Sequence, residues 1–277
     1  MLDKIKKLIS TFEFSARFGR TSFSKVKIFY LLVKPFFSFS RFNPKKIHKL
    51  AAKFENYPLD ITVRDNGSDV IILREMFIHQ DYRECAQLFN PNVIFDIGAN
   101  VGLAGCYFAA NFPNSAIYGF EPESGAYRIA EINYRNIQRG RLFKVALSSQ
   151  NGEANILSSA VGSGGQKLEM YDPTSDWTRE KVQTCRLDDL IVRENLPIPD
   201  LLKIDVEGAE YDVLLGLGIL SRKVKGIVME VHSDDLWDKC SSFISENGFT
   251  VLRNEQKFDT EVRFIYAEQQ KYASLLS

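Results

Sequence analysis

The run Val93-Ile-Phe-Asp96-Ile-Gly98-Ala-Asn100-Val-Gly102 constrains the chain more than any other stretch. A short apolar segment bounded by Pro91 and Gly98 has the pattern of a core strand in a parallel sheet. It ends in an acidic residue, turns on small residues and opens a helix. Asp96 therefore sits at the carboxyl end of a strand, where open α/β sheets form their ligand crevices. Gly98 and Gly102 allow close approach to the backbone, and Asn100 between them tolerates a left-handed conformation. The stretch predicts a nucleoside-cofactor loop.

The elements on either side repeat the same plan. Apolar runs at residues 116–120, 141–146, 201–205 and 226–231 predict further core strands, with helical stretches between them. Strands alternating with helices predict a doubly wound, mostly parallel α/β sheet. The last two strands, at 249–253 and 262–267, are close enough in sequence to pair antiparallel at one edge. Residues 70–73 after the turn signal Asp65-Asn66-Gly67-Ser68 read as a short strand, and residues 79–89 as a helix. Residues 154–157 read as a short strand and Gly162-Ser-Gly-Gly165 as a mobile loop.

Charge is balanced overall, 35 Lys+Arg against 35 Asp+Glu, but unevenly distributed. Residues 1–54 carry thirteen basic and two acidic residues, a net +11, interleaved with ten Phe. We divide the chain into a basic, Phe-rich extension (1–58) and a main domain (59–277). The Phe residues form no single helical stripe, so the simpler reading is that helices of the extension cover the main domain. A basic segment with aromatic anchors also suits peripheral contact with an anionic membrane. No nucleic-acid motif accompanies the charge, so no nucleic-acid partner is expected. The apolar run 28–33 is too short to span a bilayer and no cleavage site follows an h-region, which predicts a cytoplasmic protein, peripheral at most. Cys85, Cys106, Cys185 and Cys240 form no metal-ligand spacing and read as buried free thiols.

A dinucleotide fingerprint is G-x-G-x-x-G, with backbone amides cradling a pyrophosphate. Here the pattern is Asp-x-Gly-x-Asn-x-Gly, and a carboxylate beside the first glycine disfavours a pyrophosphate. It favours a ligand bearing an ammonium and a sulfonium, S-adenosylmethionine. Glu121 ends the next strand, where a carboxylate accepts hydrogen bonds from ribose hydroxyls. The competing reading makes both carboxylates helix caps; their pairing at matching strand ends favours the nucleoside site.

Four ordered motifs, Phe95–Gly102, Gly119-Phe-Glu-Pro122, Leu187-Asp-Asp-Leu190 and Leu202-Lys-Ile-Asp-Val-Glu-Gly-Ala-Glu210, resemble those of the FkbM-family methyltransferases. The resemblance covers roughly residues 60–268. It implies a class I methyltransferase fold, strand order 3-2-1-4-5-7-6 with the seventh strand reversed, and S-adenosylmethionine-dependent O-methylation of sugars or glycosylated metabolites. Carried over by position, Asp96, Gly98, Asn100 and Gly102 surround the methionine part of the donor and Glu121 its ribose. Ala146 stands after the third strand, where many class I enzymes have an acidic residue, so adenine recognition rests on backbone and apolar contacts.

The acceptor side is expected at the next strand ends. Asp205 and Glu207 follow the fourth strand, while Glu230 and His232 end the fifth. His232 is the favoured general base, because its ordinary pKa lies near neutral, with Asp205 second. A divalent metal held by Asp205, Glu207 and His232 is the less favoured reading, and purely structural roles for Glu207, Glu210 and His232 are the third. Trp177 and Trp237 could stack on a sugar, though core packing is the plainer role. His48 and His79 read as surface or structural. Two alternatives to the methyltransferase are an NAD-dependent oxidoreductase, disfavoured by the missing glycine fingerprint, and a non-catalytic scaffold at the membrane. The extension predicts that the protein sediments with anionic vesicles, weakly and through residues 1–54; equal sedimentation with neutral vesicles would remove the membrane reading.

Overall fold

The computed structural model describes residues 2–36, 42–159, 162–168, 178–257 and 262–273, so Trp177 lies outside the described residues. The extension forms helices α1 (Leu2–Phe18) and α2 (Ser22–Val33). It then becomes a strand, β1 (Asn43–Phe54), antiparallel to β2 (Tyr57–Asp65). The two residues between them, Glu55 and Asn56, both have positive φ, the geometry of a tight hairpin turn. Residue 58 therefore falls within a hairpin. The apolar core is continuous across it: Phe18 lies 4.9 Å from Phe77, and Phe54 lies 5.4 Å from Tyr107, ring centre to ring centre. Buried Lys34 pairs with buried Asp65 at 2.6 Å and holds the end of α2 to the end of β2.

Residues 70–73, expected as a strand, belong to helix α3 (Gly67–Arg74). The Asn66 side chain accepts from the Asp69 amide and starts the helix, and Asp69 in turn accepts from Arg64. Val70 and Leu73, three apart, are both fully buried. Four apolar residues cannot distinguish a period of two from one of 3.6, and the cap decides. The helix expected at 79–89 is shorter. A π-helical turn spans Glu75–His79, Gln80 is left-handed, and α4 covers only Arg83–Leu88.

The main sheet contains β3 (Val93–Ile97), β4 (Ala116–Phe120), β5 (Gly140–Phe143), β10 (Leu201–Ile204), β11 (Gly226–Val231), β12 (Phe249–Gln256) and β13 (Arg263–Gln269). Their spatial order is β12-β13-β11-β10-β3-β4-β5. Counted within this sheet, that is 3-2-1-4-5-7-6 from the β5 edge, as expected. β13 runs antiparallel to both β11 and β12, and the other neighbours are parallel. Side chains alternate between faces along each strand. Ile94 and Leu201 pack with α5 (Leu103–Asn111), α6 (Ser124–Arg135) and the extension. Phe95, Ile97, Leu202 and Ile204 pack with α7 (Leu187–Glu194), α8 (Glu210–Leu215) and α9 (Asp234–Glu246).

A second sheet is inserted between β5 and β10. It joins β6 (Ala146–Leu147), β7 (Gly152–Ser159), β8 (Gly162–Leu168) and β9 (Thr178–Cys185) in the order β6-β9-β7-β8. The expected third strand at 141–146 is thus split between two sheets. The glycine-rich segment 162–165, expected as a loop, forms the start of β8 and pairs antiparallel with β7. Backbone pairing fixes these glycines where side-chain pattern gave no strand signal.

Two asparagines tie the hairpin to α6 and its end, Asn136 by donating to the Asp60 carbonyl at 2.7 Å and Asn133 more extensively. Fully buried Asn133 on α6 donates to the carbonyls of Thr62 (2.9 Å) and Val101 (2.7 Å), and its Oδ1 accepts from the Thr62 amide at 2.7 Å. Asn133→Leu keeps the volume but orphans three backbone groups. It should cost about 2–4 kcal/mol in urea unfolding; a loss below about 0.5 kcal/mol would show that this tie is not holding the hairpin.

Candidate active site

The carboxyl ends of β3, β4 and β10 open onto one cleft. Gly98, Asn100, Glu121, Ala146, Asp205 and Glu207 line it, together with Phe120, Val145, Leu147 and Ile156. Six of the nine residues expected from sequence are thereby brought to one surface. The apolar side chains from β6, β7 and the preceding loop form one wall, consistent with a base held by apolar contact.

The turn after β3 is shaped by backbone. Gly98, Asn100 and Gly102 have φ of 78°, 49° and 81°. A Cβ on Gly98 would overlap the Asp205 carbonyl, so the β3 and β10 ends approach this closely only with glycine there. Glu121 is 3% exposed; Oε2 accepts from the Asn100 amide and Oε1 from the Glu123 amide, each at 2.8 Å. Burial raises its pKa to about 7, against the opposing effect of these two amides.

Asp96 and Gly102 are not on the cleft surface. Asp96, expected to face the donor's cationic groups, is fully buried beneath the turn. Its Oδ2 accepts from the Tyr134 hydroxyl at 2.8 Å, and its Oδ1 lies 3.0 Å from Lys203 Nζ as an ion pair without hydrogen-bond alignment. Parallel register sets Asp96 beside both Lys203 and Gly119. At Gly119 a side chain would overlap the Tyr134 ring, and its absence lets that ring reach Asp96. Lys203 Nζ also donates to the Gly98 carbonyl at 2.8 Å. Burial lowers the pKa of Lys203, but Asp96 and then Asp205 outweigh it and keep the ammonium charged. The Asp96 charge thus acts on the cleft by holding Lys203, and Lys203 holds the turn. Lys203 and Tyr134 carried no expectation. The one signal for Lys203 was a lone charge inside the apolar run Leu201-Leu-Lys-Ile204.

His232 adjoins the cleft beyond Asp205. Its Nε2 lies 3.8 Å from Asp205 Oδ1 and 3.5 Å from Glu207 Oε2, and its Nδ1 lies 2.7 Å from Oε1 of fully buried Glu210. Burial alone would lower the His232 pKa. The Glu210 hydrogen bond, then Asp205, raise it to about 10. The imidazole expected to be the base is thus flanked by carboxylates at both ring nitrogens, with Asp205 beside it at the cleft. Glu230, two residues earlier, serves other neighbours. It accepts from the Tyr82 hydroxyl at 2.5 Å and lies 3.4 Å from Lys257 Nζ. Burial, then Asp205, raises its pKa to about 7.

A second, polar groove of about 470 Å³ is lined by Arg74, Glu75, His79, Asp81, Lys257 and Phe264 among others. Lys257 Nζ lies 2.8 Å from Glu75 and 3.2 Å from Asp81. Burial raises the pKa of Glu75, against the opposing charge of Lys257. His79, read from sequence as surface or structural, lines this groove. Trp237 is half-buried in the core with the Arg263 guanidinium over its ring.

A seven-stranded sheet of this order, with a reversed last strand and an acidic end to its second strand beside a glycine-asparagine turn, defines a class I methyltransferase domain. The chain belongs to the FkbM methyltransferase family, for the Methyltransferase FkbM domain matches residues 96–256. It is 25% identical over 236 residues to the 31-O-demethyl-FK506 methyltransferase FkbM of Streptomyces tacrolimicus, covering 73% of this chain and 91% of that one. It is 24% identical to the hexuronic acid methyltransferase AglP of Haloferax volcanii, covering 62% and 65%. It is 28% identical to the AMB antimetabolite synthetase AmbE of Pseudomonas aeruginosa over 74% of this chain, and spans 12% of that longer protein.

Glu121 gives the site a measurable pH signature. The folded protein holds its proton to about pH 7 and an unfolded chain to about 4.5, so the folded state binds more protons in between. Its contribution to stability is fully present below pH 4.5 and is lost as pH rises through 7. Relative to Glu121→Gln, the wild type should lose about 3 kcal/mol of unfolding free energy between pH 4.5 and 8. A pH-independent difference between the two would contradict the buried, proton-holding carboxyl.

Proposed function

We propose that this chain is an S-adenosylmethionine-dependent O-methyltransferase acting on a hydroxyl of a sugar, glycan or glycosylated metabolite. The observation that carries the reading is the glycine-lined cleft at the ends of β3, β4 and β10, with buried Glu121 on one side, suited to a nucleoside, and the partly open carboxylates Asp205 and Glu207 on the other. The separate groove lined by charges of both signs suits a neutral, hydroxyl-rich acceptor. Family membership supports the donor, the 31-O-demethyl-FK506 relative supports an oxygen acceptor, and the hexuronic acid relative supports a sugar.

In this reading Gly98 and Asn100 offer backbone to the methionine part of the donor, and Glu121 accepts from the ribose hydroxyls. Val145, Ala146, Leu147 and Ile156 enclose the adenine. Methyl transfer from a sulfonium to oxygen is an in-line displacement, so the protein aligns the acceptor oxygen and removes its proton. Asp205, at the mouth of the glycine-lined cleft, takes that proton. Glu207 and His232 flank it and fix the orientation of the acceptor.

Peripheral contact with anionic lipid through residues 1–54 belongs to the same proposal. Ile9, Phe12, Phe23 and Val26 are exposed on α1 and α2 beside exposed Lys6, Lys7 and Lys25. Among the described residues no helix is long and apolar enough to cross a membrane.

Calorimetry should show binding of S-adenosylhomocysteine and none of NAD. A panel of glycosides offered with labelled S-adenosylmethionine should yield an alkali-stable methyl ether, lost in Asp205→Asn. Binding of NAD without S-adenosylhomocysteine would overturn the assignment.

A further inference from the structure

The corner formed by the ends of β10 and β11 has the composition and spacing of a cation site. One ligand atom from each of Asp205, Glu207 and His232 lies within 4.8 Å of the others. The distances from His232 Nε2 are 3.8 Å to Asp205 and 3.5 Å to Glu207. Ligands around a six-coordinate cation, each about 2.1 Å from it, stand roughly 3 Å apart when adjacent and roughly 4.2 Å when opposite. The three side chains therefore already span such a sphere, and small side-chain adjustments close it.

The fourth residue makes the corner more than a gathering of charges. Glu210 is fully buried and its Oε1 takes the Gly208 amide at 2.9 Å and His232 Nδ1 at 2.7 Å. A carboxylate on one imidazole nitrogen fixes the ring and presents the other nitrogen outward, the arrangement that orients metal-bound histidines. The nitrogen presented here is Nε2, and it faces two carboxylates. Oε2 of Glu210 is buried and has no hydrogen-bond partner among the described residues. Three carboxylates thus surround a single imidazole in a half-buried corner.

We propose that Asp205, Glu207 and His232 bind one divalent cation of the Mg²⁺ or Mn²⁺ kind, with Glu210 as the positioning residue for His232. Two carboxylate oxygens and one imidazole favour a hard or borderline ion, and the free cysteines are buried in other parts of the fold. Three protein ligands leave further positions for water or for acceptor oxygens. Asp205 and Glu207 also line the donor cleft, so the ion would stand between donor and acceptor. Once held by one oxygen of Asp205, the ion would orient and acidify an acceptor hydroxyl, and the other Asp205 oxygen would take its proton. That role rests on the methyltransferase reading above; the binding site itself does not.

The full chain, stripped with chelator, should be titrated with Mn²⁺ alone, following loss of the free-ion paramagnetic signal. About one ion per chain should bind at sub-millimolar concentration, in the range of ordinary oxygen-rich sites. Glu207→Gln and His232→Gln should each abolish binding, and Glu210→Gln should weaken it by about 10- to 100-fold. S-adenosylhomocysteine calorimetry and cooperative melting serve as controls for folding. A folded wild type that binds S-adenosylhomocysteine but no Mn²⁺ at millimolar concentration overturns the proposal, as does binding indifferent to both ligand variants. Mn²⁺ binding by a chain that fails to take S-adenosylhomocysteine supports the cation site and removes the donor assignment instead.

Discussion

The cleft depends on the buried pair Lys203–Asp96. Two charged residues on adjacent core strands are fully covered, and neither could be tolerated there alone, since an unpaired buried charge costs several kcal/mol. Tyr134 takes up one carboxylate oxygen, and Lys203 spends another donor on the Gly98 carbonyl. The ammonium thereby joins the strand ends to the turn that lines the cleft. The small residues around the pair follow from it. Gly119 gives Tyr134 its path to Asp96, and Gly98 lets the turn settle against the Asp205 carbonyl.

The chemistry is arranged outward from this pair in order of burial. Closest in are Asp96 and Lys203, which touch no ligand surface. Glu121 comes next, buried but lining the cleft, with both oxygens already fixed by backbone amides. Asp205, Glu207 and His232 form the outermost group, partly open, where an acceptor would arrive. The polar groove beyond them is built by residues 71–83 and the β12–β13 pair. Residues 71–83 precede the family domain at 96–256, so part of the groove lies outside the shared fold. A π turn at Glu75–His79 and a left-handed Gln80 shape it, and such irregular turns often mark functional positions.

The sheet order, the reversed last strand and most core elements were legible because their signals are local: apolar runs of strand length, glycine turns and proline stops. Gly98, Asn100, Glu121, Ala146, Asp205 and Glu207 were placed at strand ends by the same logic and do share a surface. Other expectations failed where local pattern is ambiguous. Residues 70–73 are helical because Asn66 caps them, and residues 162–165 are strand because β7 supplies partners. Asp96 lies beneath the turn and not on the cleft surface for a different reason. Its neighbour Lys203 is 107 residues away in sequence, and only parallel register sets them side by side. His232, whose ordinary pKa suggests a base near neutral pH, stands among carboxylates that raise it to about 10.

The sequence by itself determined the fold class, the donor-cleft frame and the strand ends on which the acidic groups stand. Periodicity and turn residues act within a few positions, and those features need nothing more. Only the tertiary structure decided which charges meet. It paired Asp96 with Lys203, turned Nε2 of His232 toward Asp205 and Glu207, and carried the hairpin of the basic extension onto α6 through Asn133. Burial and register between distant segments set those outcomes, because the strength of a charge depends on what surrounds it.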